Sequence, residues 1–182
     1  YTFNDKRKYD RGTNSHNTVE IDELNSSDVW HIFRVGRRAY PFDVKIIENE
    51  QTVMFEASHD GYRYLNGSPI HRRIVKWYKD AKKLIILDEI TGSGIHLMSG
   101  GWTLAPGWNC TKRDNGWNIE YAETNISLRM KHINGMEMST RSVLIHPDYG
   151  IECKTRRLQW NLNTALPALV ETKIDFINES DF

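Results

Sequence analysis

No stretch of this 182-residue sequence approaches the roughly 18 to 20 consecutive apolar residues that a bilayer-crossing helix needs, so a helical membrane protein is excluded. Hydrophobic residues make up 39% and mean hydropathy is −0.60, in keeping with that exclusion. Charge of one sign is missing too. Lys and Arg number 24 against 24 Asp and Glu, which leaves no summed field for a generic nucleic-acid or anionic-membrane binder. Two cysteines, Cys110 and Cys153, are too few for a disulfide framework and leave one bridge or two thiols open. The chain starts at Tyr1 with no initiator Met, basic n-region or apolar h-region, and this reads as a segment of a longer precursor.

Chemical motifs are equally sparse. Seven histidines stand at 16, 31, 59, 71, 96, 132 and 146, with no pair at i, i+2 or i, i+4 and no Cys-x-x-Cys, so the segment spells out no complete metal site. The absence of Gly-x-Ser-x-Gly and of a phosphate-cradling glycine loop leaves acyl and phosphoryl transfer unsupported. Asn-x-Ser/Thr tripeptides at Asn25, Asn66, Asn109, Asn125 and Asn178 carry little weight in a chain rich in these residues.

What is present is alternation. Aromatics at 11%, including 6 Trp, argue for a packed core rather than disorder, and the length suits one domain, residues 1–182. Helical periodicity is hard to find. Two-residue periodicity recurs at Thr18 to Asp22, Asp28 to Arg38, Lys45 to Ile47, Thr52 to Ala57 and Arg72 to Tyr78. Lys79 to Lys82 then turns the chain into Leu84-Ile85-Ile86-Leu87, an apolar run suited to a strand covered on both faces. The glycines and Pro106 between Gly92 and Gly107 predict short, bent strands around Ile95 to Met98 and Trp102 to Leu104. Trp117 to Tyr121, Ile126 to Met130 and Val143 to Ile145 continue the pattern, with turns at Asn115-Gly116, Asn134-Gly135 and Pro147 to Gly150. Two last runs between Cys153 and Phe176 flank Leu166-Pro167, with Pro167 at an edge or bulge. About a dozen strands at this spacing define an all-β protein: a large antiparallel β-sandwich, with a closed barrel as the rival.

Some residues invite functional readings. His16 sits in a polar entrance to a strand, where a loop histidine and a metal ligand are both open. His59-Asp60-Gly61-Tyr62 has the residue types for proton transfer, but adjacent residues of a strand face opposite sides, which favours a structural loop. Positive charge collects at Arg34 to Arg38, His71-Arg72-Arg73 and Lys154 to Arg157. Guanidinium groups suit the carboxylate of an acidic sugar, though pairing with the equally numerous acids is the commoner fate. Of the tryptophans most belong in the core, with Trp102 and Trp108 the best placed for exposure.

The string Arg11-Gly12-Thr13-Asn14-Ser15-His16-Asn17-Thr18-Val19-Glu20-Ile21-Asp22, followed by Trp30 and Phe33 to Ala39, resembles the heparinase II/III-like family of polysaccharide lyases, which includes alginate and oligoalginate lyases. The likeness continues through His59 to Leu65, His71 to Arg73 and Leu87 to Gly92, and more weakly at Tyr149-Gly150 and Leu166-Pro167. It implies that the chain is the C-terminal β-sandwich domain of such an enzyme, whose catalytic α/α toroid is absent. It also implies that His16 is one ligand of a structural zinc, completed by a histidine and an aspartate upstream of Tyr1, and that Arg11 and Asn17 line the cleft. Family members cleave uronate-containing polysaccharides by β-elimination, with tyrosine and histidine moving the protons. Tyr1 and Tyr9 lie where some relatives place a further tyrosine, and no catalytic residue is assigned in this segment. A periplasmic or secreted bacterial enzyme that is inactive without its toroid is the resulting expectation. A free-standing carbohydrate-binding or structural sandwich is the alternative.

Overall fold

The computed structural model describes residues 5–113, 116–121, 127–133, 136–148 and 150–177. A short helix α1 (Asp5–Asp10) and a 3-10 turn (Thr13–Ser15) lead into β1 (Val19–Ile21) and a small hairpin, β2 (Val29–Trp30) and β3 (Arg34–Val35). Next come β4 (Pro41–Glu48), β5 (Thr52–His59), β6 (Ile70–Tyr78), β7 (Lys83–Thr91) and β8 (Ile95–Thr103). The chain continues through β9 (Trp108–Arg113), β10 (Gly116–Tyr121), β11 (Ser127–Ile133), β12 (Glu137–Asp148), β13 (Ile151–Ala165) and β14 (Ala168–Ile177).

Two antiparallel sheets face each other. The larger runs β4-β5-β6-β7-β14-β11-β10-β9 and the smaller β1-β8-β13-β12, so both have open edges and the architecture is a sandwich, not a barrel. Alternation decides what fills the space between them. Val19, Ile21, Met98 and Trp160 from the small sheet meet Ile90, Val170 and Tyr62 in one buried cluster. Leu158 meets Trp117, Ile119, Ile86 and Ile174 in another. Fully burying a large apolar side chain contributes about 1.5–3 kcal/mol, so these clusters hold the sheets together.

Several local expectations need correction. Asp28 to Arg38 is not one strand: β2 pairs with β3 within it, and His31 turns the corner at φ 54°. The reason is that arginine side chains, described below, bind carbonyls in this region in place of a sheet ladder. β8 is longer than its glycines predict, because close packing requires them. A Cβ on Gly100 would stand 2.5 Å from the Trp160 ring. The turn read at Pro147 to Gly150 is where the β12–β13 hairpin reverses, with Asp148 paired to Ile151, but β12 reaches one residue past Pro147 and absorbs the proline in an irregularity between Ile145 and Asp148. Pro167 lies in the short passage by which the chain leaves β13 of the small sheet for β14 of the large one. Tyr1, Asn115, Asn125, Ile126, Asn134-Gly135, Tyr149 and Asn178 lie outside the described residues.

Candidate functional site

The string after α1 is short, polar and pinned along its length. The Thr13 N–H donates to Asn25 Oδ1 at 2.6 Å, and the Ser26 N–H donates back to Thr13 Oγ1 at 2.9 Å. Ser15 Oγ donates to the Gly12 carbonyl at 2.7 Å. Beyond this turn, two arginines from opposite sheets grip consecutive carbonyls. Arg157 of β13 donates to His16 O at 2.9 Å and Arg73 of β6 donates to Asn17 O. The Asn17 side chain accepts the Thr103 N–H at 2.8 Å, which ties the string to the end of β8.

With its backbone held, His16 presents its ring to solvent, and among the described residues nothing hydrogen-bonds that ring. It stands on a cleft of about 500 Å³ shared with Arg11, Thr18, Ser26, Val35 and Arg38. Arg11 forms part of the wall, but its guanidinium is occupied. It donates to the carbonyls of His31, Ile32 and Arg34 at 2.9, 3.2 and 3.1 Å, and so fixes the β2–β3 hairpin. Arg37 is also a structural clamp, reaching Ser26 O at 2.8 Å, Gly61 O at 2.5 Å and Asp28 at 2.8 Å. Arg38 is the exposed cation of this wall. No three His, Cys, Asp or Glu side chains gather into a metal-binding group among the described residues. The described residues therefore do not make a zinc site by themselves, and His16 alone fits the part of a single donor.

Behind the string, between the sheets, lies a buried polar chain. The Gly61 N–H donates to His59 Nδ1 at 3.2 Å, which puts the His59 proton on Nε2, 3.0 Å from His71 Nδ1. His71 then donates through Nε2 to Asp88 at 2.7 Å, while Arg73 binds both oxygens of Asp88 at 2.7 and 3.0 Å. Burial pushes the Asp88 carboxyl up, but the His71 and Arg73 hydrogen bonds outweigh it and hold the group below the usual carboxylate range. Burial, aided by the neighbouring Arg73 charge, lowers His59 to about 4. The remaining members of the 59–62 string point elsewhere. Asp60 accepts the Tyr40 N–H at 2.8 Å, and the buried Tyr62 hydroxyl donates to Val19 O at 3.1 Å. The string is a structural loop.

A second, smaller pocket of about 130 Å³ opens on the outer face of the small sheet, lined by Asn14, Glu20, Arg141, Arg157, Gln159 and Asn161 among others. Register assembles it: Glu20 lies opposite Ser99, and Ser99 opposite Asn161. Burial raises the Glu20 carboxyl, against the lowering effect of its hydrogen bond with Ser99. Sequence reasoning missed this pocket because its side chains come from four separate segments. One local signal was available: Gln159-Trp160-Asn161-Leu162-Asn163 alternates polar and apolar residues and so predicts one hydrophilic face.

The tryptophans correct the sequence reading. Trp102 and Trp108 are both half-buried against the core, whereas Trp30 is 49% exposed, with the Arg34 guanidinium 5.3 Å over its ring. The basic clusters split. Arg72 pairs with Glu56 and Glu89 and Arg73 with Asp88, whereas Lys154 and Arg156 have no acidic partner among the described residues. Cys110 and Cys153 are free thiols.

Fold and site together define an antiparallel β-sandwich whose smaller sheet carries a polar, arginine-lined face beneath an ordered His-Asn string. The chain belongs to the Heparinase II/III-like, C-terminal family, which it matches over residues 1–168. Among solved structures it is similar to the heparan sulfate lyase HepC from Pedobacter heparinus, with 14% identity and a TM-score of 0.77 over 98% of this chain and 27% of that one. A heparinase III gene product gives 17% identity and a TM-score of 0.72 over 97% and 26%, and a further heparinase III gives 18% and 0.70 over 97% and 26%. The chain thus spans about a quarter of the length of the proteins it resembles. No curated protein matches it.

Proposed function

We propose that this chain is the sheet-built wall of a polysaccharide lyase that cleaves an acidic, uronate-containing glycan by β-elimination, and that it is inactive without an α/α toroid supplied by the rest of its protein. The observation that carries this reading is the family match across the string that forms the cleft, Arg11 to Val19. In the reaction, a base removes the C5 proton of a uronate whose carboxylate is neutralised. The C4–O bond breaks, the leaving oxygen takes a proton and a C4=C5 double bond remains. The chain contributes positioning. Arg73 and Arg157 hold the backbone of His16 and Asn17, Arg11 holds the hairpin beside them, and Arg38 supplies positive charge at the wall. Asn17, turned toward Thr103, acts on the cleft through the backbone it fixes.

Zinc enters this proposal through His16 alone: its exposed imidazole serves as one ligand, and the others come from outside this chain. His16→Ala in the full-length gene product is expected to lower bound zinc measured by elemental analysis, and unchanged zinc content removes the assignment. A periplasmic or secreted location in a bacterium belongs to the same reading. The direct test incubates the full-length gene product with heparan sulfate, alginate and hyaluronate and follows the ultraviolet absorbance of unsaturated uronate. A rise on one of them supports the lyase reading, and binding without unsaturated ends on all three overturns it.

A further inference from the structure

The basic run Lys154 to Arg157 divides between two faces of β13. Arg157 and Gln159 point to the polar outer face described above, while Leu158 and Trp160 fill the core. A two-residue period therefore places Lys154 and Arg156 on the core side of the sheet. There the small sheet runs past its apolar filling, and both residues are exposed instead of covered. They border a groove of about 580 Å³ between the sheets, with Trp108 and Asn109 of β9 opposite and Ser142 of β12 beside them. Register fixes the rims, with Ser142 opposite Arg156 and Leu144 opposite Lys154.

The groove is built in advance. Thr155 Oγ1 donates to Leu104 O at 2.8 Å, and the Leu104 N–H donates to Arg156 O at 3.0 Å, so the loop that carries Trp108 is tied to β13. Gly107 bends that loop at φ 90°, and a Cβ there would stand 2.7 Å from the Tyr121 ring. Tyr121 in turn buttresses Trp108 with ring centroids 5.4 Å apart. The lining holds two cations, an indole, an amide and two hydroxyl residues, with no carboxylate. In a chain with equal numbers of acidic and basic residues, two adjacent cations beside an aromatic ring, with no acidic partner among the described residues, are a local concentration of positive charge.

We propose that this groove is a second glycan-binding site, separate from the His16 cleft, which takes an anionic sugar segment. Lys154 and Arg156 hold its carboxylate or sulfate groups, the Trp108 indole packs against a ring face, and Asn109 and Ser142 meet hydroxyls. The two cations follow one another at two residues on a strand, roughly 7 Å apart, which matches charges on adjoining sugars and not one compact anion. Guanidinium and ammonium groups serve carboxylate and sulfate alike, and the aromatic face separates a sugar from a bare acidic peptide. The ligand class rests on the acidic-glycan reading above, but the site stands on different residues. Its role is to hold a long chain while the cleft works on another part of it, so its removal costs binding of long glycans more than turnover of short ones.

The test compares the full-length gene product with its Lys154→Gln/Arg156→Gln variant. Retention in heparan sulfate and alginate affinity gels is measured together with turnover of a heparan sulfate tetrasaccharide. Both residues are exposed and outside the clamps on His16 and Asn17, so the variant keeps its fold, checked by circular dichroism. Retention is expected to weaken about tenfold with tetrasaccharide turnover unchanged, in line with the loss of two charge-assisted contacts. Arg156→Lys alone should restore most of it, and Trp108→Phe should weaken retention less than loss of the charges. Preference for sulfated over unsulfated gel identifies the anion. Unchanged retention in the double variant overturns the site, as does equal displacement of either glycan by poly-L-glutamate, which reveals charge without sugar recognition. A protein that makes no unsaturated product but loses retention on the double substitution sinks the lyase reading and keeps this one.

Discussion

Neutralising Asp88 leaves Arg73 with no acidic partner in a region where water is scarce, and the same change removes the acceptor that fixes the His71 tautomer. Breaking one member of a buried ion pair costs about 3–5 kcal/mol because the remaining charge keeps its desolvation penalty. Asp88→Asn is therefore expected to lower unfolding free energy by that order, read from denaturant midpoints, and a loss under 1 kcal/mol would contradict a buried, paired carboxylate. His59 adds a pH dependence of definite sign. Its folded value of about 4 lies below its unfolded value, so from about 6.5 down to 4 the unfolded chain binds a proton that the folded chain refuses. Stability thus falls on acidification, by about 3 kcal/mol over that window. His96 and His146 have raised values and act in the opposite direction, so the informative quantity is the difference between wild type and His59→Gln. The variant should lose less stability between pH 7 and pH 4.5, and identical slopes would refute the buried neutral imidazole. None of this was legible at residue level. The sequence shows histidine beside aspartate at 59 and 60, whereas the partners that matter, His71 and Asp88, arrive on neighbouring strands by register.

Six residues are too few for a helix to persist on its own, so α1 depends on its tethers. Arg7 Nε donates to Ile32 O at 2.9 Å, Lys6 pairs with Glu152, and His146 Nδ1 reaches Asp10 at 2.9 Å. The hydrogen bond to Asp10 raises His146, burial opposes it, and the further hydrogen bond to Glu152 leaves the net value raised. A raised folded value gives stability that is complete below the unfolded value near 6.5 and lost as pH rises through the folded one. Amide exchange over residues 5–12, corrected for intrinsic rates, is accordingly expected to accelerate between pH 6 and pH 8.5, and His146→Ala should abolish the difference. Exchange that ignores pH in the wild type would show that the other tethers suffice. At this scale most strands follow from alternation, as in β5, β6, β10 and the apolar run of β7. The exceptions share a cause. Between Asn25 and Arg38 the backbone pairs with itself only in a short hairpin, and many of its carbonyls are held by side chains, Arg11 and Arg37 above all, a difference that a two-residue pattern in the sequence does not show.

For the molecule as a whole, periodicity specifies an all-β sandwich but not which strands share a sheet, and so not which polar side chains meet. The outer pocket and the Lys154–Arg156 groove exist only once β13 is set between β8 and β12 with β9 across from it. Sheet order also creates a liability that the sequence left unmarked. β4 is the outermost strand of the large sheet, pairs among the described residues with β5 alone, and is exposed at every residue, with Ile46 71% accessible. Its first half is blunted by Pro41, by Asp43 at φ 51° and by an irregularity between Phe42 and Lys45. From Lys45 to Glu48 the edge is regular, and Ile46 and Ile47 offer apolar groups on its two faces, the combination that favours strand pairing between molecules. The isolated 182-residue chain is expected to self-associate with rising concentration, and Ile46→Lys to shift it toward monomer in sedimentation velocity. The substitution should leave the melting temperature unchanged, because Ile46 contributes little to the core. A wild-type chain that stays monomeric up to high concentration would show that the bulge and the charges of Lys45 and Glu48 already protect this edge.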